Sequence, residues 1–153
     1  MKDGNLLINE KKIKVLIVLA DFYKNISNNL LCGAQEVFNK EKINYNIVRV
    51  PGALEIAQTI KFYFDSKLET YDGFLALGCV IKGDTYHFEI VSNESARSLS
   101  YLSIHFSIPI ANGILTTFDK KQALERSDKN KLNKGKESAL ACLSMIKIRQ
   151  KLN

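Results

Sequence analysis

The sequence is poor in the residues that mark special protein classes. Its three cysteines, at positions 32, 79 and 142, are an odd number and form no CxxC pair, which argues against a disulfide framework. We expect reduced thiols, each a small core residue. With only eight glycines and two prolines, low-complexity sequence is not indicated either.

Long apolar runs are also missing. The first apolar run, Val15 to Ala20, is too short for a membrane span or a signal-peptide core, and Met1 to Lys14 before it is polar and charged. We therefore expect a cytoplasmic protein that contacts no membrane. The net charge of +6 is spread over scattered lysines without an aromatic-interleaved basic stripe, so we expect no nucleic-acid partner. A solvated surface or a small anionic substrate explains the charge.

What is present is an alternation of apolar runs and helical patterns. With 46% hydrophobic residues the chain can build the core of one domain, assigned to residues 13–153, after an arm at residues 1–12. The patterns predict strands at Ile13–Ala20, Tyr45–Val50, Gly73–Ile81 and Ile108–Gly113. They predict helices at Ile26–Asn39, Leu54–Phe64, Phe88–Phe106, Asp119–Arg126 and Lys136–Lys151. This order indicates an α/β fold with a four-stranded parallel sheet and helices on both faces.

Sites in parallel sheets lie beyond the carboxyl ends of the strands. That rule selects four loops for a functional site: Asp21–Asn25, Pro51–Glu55, Lys82–His87 and Asn112–Thr117.

The loop after the third strand, IKGDTYH, offers Gly83, Asp84 and Thr85 ahead of a helix amino terminus. Free backbone amides and the helix dipole favour an anion such as phosphate there, although the segment by itself is more typical of a turn with an N-cap. His87 closes the loop and is a candidate general acid or base, or a structural histidine.

Two further loops carry groups suited to a polar, planar ligand. Glu55, at the start of the second helix, either complements the helix dipole or binds hydroxyl groups. Phe22 stands in a polar loop where no core pattern requires an aromatic ring. It either stacks on a planar ring or folds back on the sheet edge.

Five segments follow one another along the chain: VPGALEI, ALGCVIKGDTYHFEIVSNESA, GILTT, QALER and NKG. In this order they resemble the lumazine synthase family, and the resemblance covers nearly the whole chain. The resemblance implies a flavodoxin-like α/β/α sandwich. It also implies an enzyme of riboflavin biosynthesis that condenses 5-amino-6-(D-ribitylamino)uracil with 3,4-dihydroxy-2-butanone 4-phosphate. The product would be 6,7-dimethyl-8-ribityllumazine, formed without metal or organic cofactor.

The resemblance assigns roles residue by residue. Phe22 is expected to stack on the pyrimidine, Glu55 to bind the ribityl chain and His87 to move protons. The phosphate is expected at Gly83, Asp84, Thr85 and Arg126, with the Asp84 side chain turned away. The other substrate-binding positions are Ala53, Leu54, Cys79, Val80, Ile81, Asn112 and Lys134.

The resemblance also implies a homopentamer with sites between subunits, Asn112 and Arg126 coming from the neighbour and the arm around Leu6 to Ile8 pairing with it. Riboflavin synthase is a further possible partner. Asn112 replaces a phenylalanine that is common in the family, so one apolar wall becomes polar. Leu132 replaces a glycine of the assembly loop, which favours a pentamer or a pair of pentamers over a closed shell.

Two other functions are alternatives for such a scaffold, and each makes different demands on the sequence. A non-catalytic flavin- or lumazine-binding protein would need neither the phosphate loop nor His87. A flavodoxin-like electron carrier would need a hydroxyl-rich phosphate loop after the first strand, which DFYKN does not supply.

Overall fold

The computed structural model describes residues 11–153. The predicted pairing of Leu6 to Ile8 with a neighbour lies outside the described residues. Four strands and five helices alternate along the chain: β1 (Lys14–Ala20), α1 (Lys24–Lys40), β2 (Asn44–Val50), α2 (Leu54–Asp65), β3 (Gly73–Ile81), α3 (His87–His105), β4 (Ile110–Thr117), α4 (Lys120–Ser127) and α5 (Lys134–Gln150).

The strands form one parallel sheet in the order β2-β1-β3-β4. Val18 of β1, for example, lies between Val48 of β2 and Ala76 of β3. Helices cover both faces, so the predicted three-layer flavodoxin-like α/β/α sandwich is confirmed. The sheet grows outward in opposite directions from β1 and β3, and this reversal leaves a crevice at their carboxyl ends.

The two cores follow the alternation of side chains along β1. Val15, Ile17 and Leu19 are fully buried against α1, α4 and α5. Leu16 and Val18, on the opposite face, are buried against α2 and α3. Each such aliphatic side chain contributes about 1.5–3 kcal/mol relative to an exposed one, which explains the continuous apolar run.

The predicted end of the fourth strand was wrong. Asn112–Gly113 looked like the start of a loop, but β4 continues to Thr117 in register with β3. Gly113 is needed for close packing and not for a turn. A Cβ built there would lie 2.6 Å from Ser138 Oγ and 2.7 Å from Leu77 Cδ2. The segment 112–117 is therefore sheet, not a strand-end loop.

Helix starts also differ from the predicted ones by one or two residues. His87 belongs to the first turn of α3, whereas a start at Phe88 was predicted. Helix α5 starts at Lys134 instead of Lys136, because Asn133, with φ 45°, caps the helix and its Oδ1 accepts the Lys136 N–H at 3.2 Å. Helix α1 starts at Lys24, two residues before the predicted Ile26.

Candidate functional site

A cavity of about 420 Å³ opens at the carboxyl edge of the sheet, where β1, β2 and β3 end. The loops after these three strands converge on it, as the parallel topology requires. Ten of the predicted site residues line it: Phe22, Ala53, Leu54, Glu55, Cys79, Val80, Ile81, Gly83, Thr85 and His87. The fourth predicted loop contributes nothing, because it is part of β4.

Phe22 presents an exposed aromatic surface at one wall. Its side chain is 72% exposed, and its ring meets Tyr23 edge-on with centroids 4.9 Å apart. The ring is therefore not folded back into the core. An exposed ring at a cavity wall is suited to stacking on a planar ligand.

The loop after β2 brings a carboxylate to the opposite wall. Glu55 lies in the first turn of α2, and its Oε2 is 3.0 Å from where a Cβ would stand on Gly52. Glycine at position 52 thus leaves room for the carboxylate to fold over the loop. Leu54 and Ala53 add apolar and backbone surface beside it.

The floor of the cavity is the end of β3. Strand β1 pairs with β3 only as far as Leu77, whereas β4 pairs with it through Ile81. Backbone groups alternate sides along a strand, and those of Val80, like those of Phe74 and Lys82, point toward β4. On the β1 side, the backbone groups of Cys79 and Ile81 lie beyond the end of the β1–β3 pairing and have no strand partner there. These N–H and C=O groups need hydrogen-bond partners, which the polar edge of a flat ligand can supply.

Cys79 is buried in this floor, and burial raises the pKa of its thiol to about 11. The thiol therefore stays protonated near neutral pH. It contributes shape and not a nucleophile.

The loop from Lys82 to Tyr86 connects β3 to α3. Gly83 lines the cavity without a positive φ, and a Cβ on it would find no atom within 4 Å. The fold of this chain therefore does not require a glycine there. A glycine at this position is explained if a ligand approaches the loop backbone closely, because any side chain would stand in its way.

Thr85 and His87 form the end of the same loop. The Thr85 hydroxyl oxygen accepts the His87 backbone N–H at 3.4 Å, which is a local turn. The N-cap interpretation is wrong, because the N-cap residue of α3 is Tyr86 and no side chain caps the helix. The bond to the Thr85 oxygen does not use the hydroxyl proton, which remains available to an anion. The His87 side chain lies beside it at the cavity wall.

Asp84, predicted for the phosphate loop, and Asn112, predicted for the pocket wall, do not line the cavity. Asp84 is exposed on the loop. Asn112 is exposed in the middle of β4, where its Oδ1 accepts the Ile114 N–H at 3.0 Å.

Arg126 and Lys134 also lie away from the lining. Arg126 donates from Nη1 to the Gln122 carbonyl within α4, at 3.2 Å. Lys134 Nζ pairs with Glu137 in the first turn of α5, at 2.7 Å. One chain by itself therefore assembles only part of the predicted site.

Five cavity residues were not among the predicted site residues: Tyr23, Pro51, Gly52, Phe88 and Val91. Pro51 and Gly52 belong to the selected loop that ends at Glu55. Tyr23 directly follows Phe22, and Phe88 directly follows His87. Val91 is one turn further along α3, on the apolar stripe assigned to the core. Helical spacing from His87 was the only signal that could have found the last of these.

Within residues 11–153, no helix is long and apolar enough to cross a membrane. In the same range, no three histidine, cysteine or acidic side chains are grouped as metal ligands would be.

Comparison with known proteins identifies the family of the chain. The profile of the 6,7-dimethyl-8-ribityllumazine synthase family matches residues 12–150. A protein of that name from Bartonella henselae is 50% identical over 141 residues, covering 92% of this chain and 91% of the relative.

Other relatives agree. The 6,7-dimethyl-8-ribityllumazine synthase of Bartonella bacilliformis is 48% identical and covers 90% of each chain. The 6,7-dimethyl-8-ribityllumazine synthase 1 of Mesorhizobium japonicum is 43% identical and covers 97% of this chain and 93% of the relative. This chain therefore belongs to the 6,7-dimethyl-8-ribityllumazine synthase family.

Proposed function

We propose that this enzyme condenses 5-amino-6-(D-ribitylamino)uracil with 3,4-dihydroxy-2-butanone 4-phosphate to 6,7-dimethyl-8-ribityllumazine. The free amine of the uracil attacks the ketone and forms an imine with loss of one water, phosphate is then eliminated, and ring closure of the second amine on the remaining carbonyl releases a second water. The observation that carries the proposal is one cavity that gathers an exposed aromatic ring, an open backbone edge, a loop with Gly83 and Thr85 at a helix amino terminus, and a histidine.

Each wall of the cavity suits one part of these substrates. The exposed ring of Phe22 is placed to stack on the pyrimidine, and the open backbone groups of Ile81, next to Val80 in the cavity lining, are placed to bind its polar rim. Glu55 is placed to accept hydrogen bonds from the ribityl hydroxyls. Gly83 and Thr85, at the amino end of α3, are placed to hold the phosphate.

His87 is the proposed proton carrier. It lines the cavity one position after the α3 N-cap residue Tyr86, close to the loop proposed for the phosphate. Holding two reactants together supplies much of the rate gain in such a condensation, and general acid–base help adds about 10²–10⁴-fold.

The test mixes purified protein with both substrates and follows lumazine fluorescence and released phosphate together. We expect both products to appear in equal amounts and faster than in the uncatalysed mixture. A protein that binds the lumazine product but does not exceed the uncatalysed rate would instead be the non-catalytic binding protein.

We further propose a homopentamer in which each site is completed by the next subunit. Its support is that Asn112, Arg126 and Lys134 do not line the cavity of their own chain. Exposed apolar side chains such as Ile104 and Phe118, 80% and 67% exposed, also fit burial in an assembly. Leu132 does not adopt a positive φ, so the absent glycine is no obstacle to the loop seen here.

Subunit mixing tests the shared site. His87→Ala and Arg126→Ala proteins should each be weak enzymes, and co-refolding equal amounts should regenerate about a quarter of the sites in a ring. The matched control is a mixture of His87→Ala with a His87→Ala/Arg126→Ala double variant, which should regain nothing. Absence of complementation, or a monomer by light scattering, would contradict the shared site.

We place the enzyme in the cytoplasm, because Cys32, Cys79 and Cys142 are all free thiols. Riboflavin synthase is the proposed partner that takes the product. Co-elution of the two enzymes at micromolar concentration tests that contact.

A further inference from the structure

Glu89 lies in the first turn of α3, between the cavity residues Phe88 and Val91, but does not itself line the cavity. Its Oε1 pairs with Lys82 Nζ at 3.7 Å, across the loop proposed to hold the phosphate. Its Oε2 is buried and meets no hydrogen-bond partner among the described residues. A buried carboxylate oxygen without a hydrogen-bond partner costs folding free energy, so the presence of a glutamate at this position needs an explanation.

Lys82 is held at three points. Its backbone N–H donates to the Thr117 carbonyl at 2.9 Å, which continues the β3–β4 ladder. Its ammonium lies 5.7 Å from the centre of the Phe118 ring and beside Glu89. The Phe118 ring in turn packs on Phe88, a cavity residue, at 6.1 Å. The first residue of the loop is therefore fastened to β4 and to the first turn of α3.

We propose that Glu89 is a positioning residue for the substrate phosphate: by holding Lys82, it fixes the loop Gly83–Tyr86 in the shape that presents its amides and the Thr85 hydroxyl. This rests on the proposed function for the identity of the anion. Glu89 does not line the cavity, so it acts through Lys82 and not by touching substrate.

The sign of the effect separates this role from simple electrostatics. Glu89→Gln removes a negative charge near the anion site, and charge alone would then strengthen phosphate binding. If Glu89 positions the loop, the same variant weakens binding because the loop loses its anchor. Only the positioning role predicts a loss on removing a like charge.

The experiment measures inorganic phosphate binding by calorimetry and backbone hydrogen exchange of the segment 82–88. For Glu89→Gln we expect phosphate affinity to fall about two- to tenfold and exchange of the loop to rise by a similar factor. Glu94→Gln is the matched control, since Glu94 pairs with Arg97 at 3.5 Å on the same helix and lies off the cavity lining.

Steady-state kinetics with the two substrates provide a second measurement. Glu89→Gln should raise the KM for the ketose phosphate more than it lowers kcat, with the KM for the uracil unchanged. Tighter phosphate binding, or loop exchange equal to that of Glu94→Gln, would overturn the positioning role. If the unaltered protein catalyses no condensation, the proposed function fails, whereas the calorimetry and exchange results still decide the role of Glu89.

Discussion

Replacing Gly83 with alanine separates folding from binding at the proposed phosphate loop. Gly83 has no positive φ, and a Cβ there meets nothing within 4 Å. Alanine is therefore compatible with the native backbone and restricts the unfolded chain, which stabilises by about 0.4–1 kcal/mol. For a chain of this size that is a rise in Tm of roughly 1–4 °C.

Binding should respond in the opposite direction. A methyl group on a loop that lines the cavity keeps an anion from the backbone N–H groups, and one charge-assisted hydrogen bond is worth about 1.5–3 kcal/mol. The KM for the ketose phosphate should then rise about ten- to hundredfold.

The assays are thermal unfolding and initial rates of lumazine formation. Gly135→Ala is the contrast, because its Cβ would lie 2.0 Å from the Leu30 carbonyl oxygen and should destabilise by about 3 kcal/mol or more. A Gly83→Ala protein with an unchanged KM would refute the assignment of this loop to phosphate. One that melts well below the unaltered protein would refute the steric argument.

Three other substitutions test separate parts of the account. His87→Ala should lower kcat/KM by about 10²–10⁴-fold while His105→Ala, at the far end of α3, leaves it unchanged; loss of all catalysis down to the uncatalysed rate would show that His87 carries more than proton transfer. Burial raises the pKa of Cys142 from 9.0 to about 12, so its stabilising contribution is complete below pH 9 and is lost as the pH rises toward 12. The urea concentration at the unfolding midpoint should therefore fall less steeply with pH above pH 9 in Cys142→Ala than in the unaltered protein. Equal slopes in the two proteins would show that ionisation of the buried Cys142 thiol is not the cause. Asn133→Ala should cost about 1–3 kcal/mol by losing both the α5 cap and a residue that tolerates φ 45°, with Asn133→Gly costing less in the same urea titration.

Strand positions and the location of the site could be predicted because they depend on local pattern and on topology. The run at β1 is apolar since both of its faces are covered, and three parallel strands bring their following loops to one edge. The rule on strand ends therefore predicts that Phe22, Glu55 and His87 lie close together, and all three line the cavity.

The end of β4 could not be predicted in this way. Gly113 is typical of a turn in sequence, but here it is required by a long-range contact with Ser138 on α5. A single sequence does not reveal which helix, distant along the chain, will pack against a given strand. The same limit explains Glu89, whose partner Lys82 and buried oxygen become visible only when the loop is folded.

The most direct test of the central claim is a crystal structure of the protein soaked with 6,7-dimethyl-8-ribityllumazine. We expect the lumazine ring on Phe22, its polar edge against the open backbone groups of Ile81, and the ribityl chain at Glu55. Product bound elsewhere, with the cavity beyond β1, β2 and β3 left vacant, would contradict it.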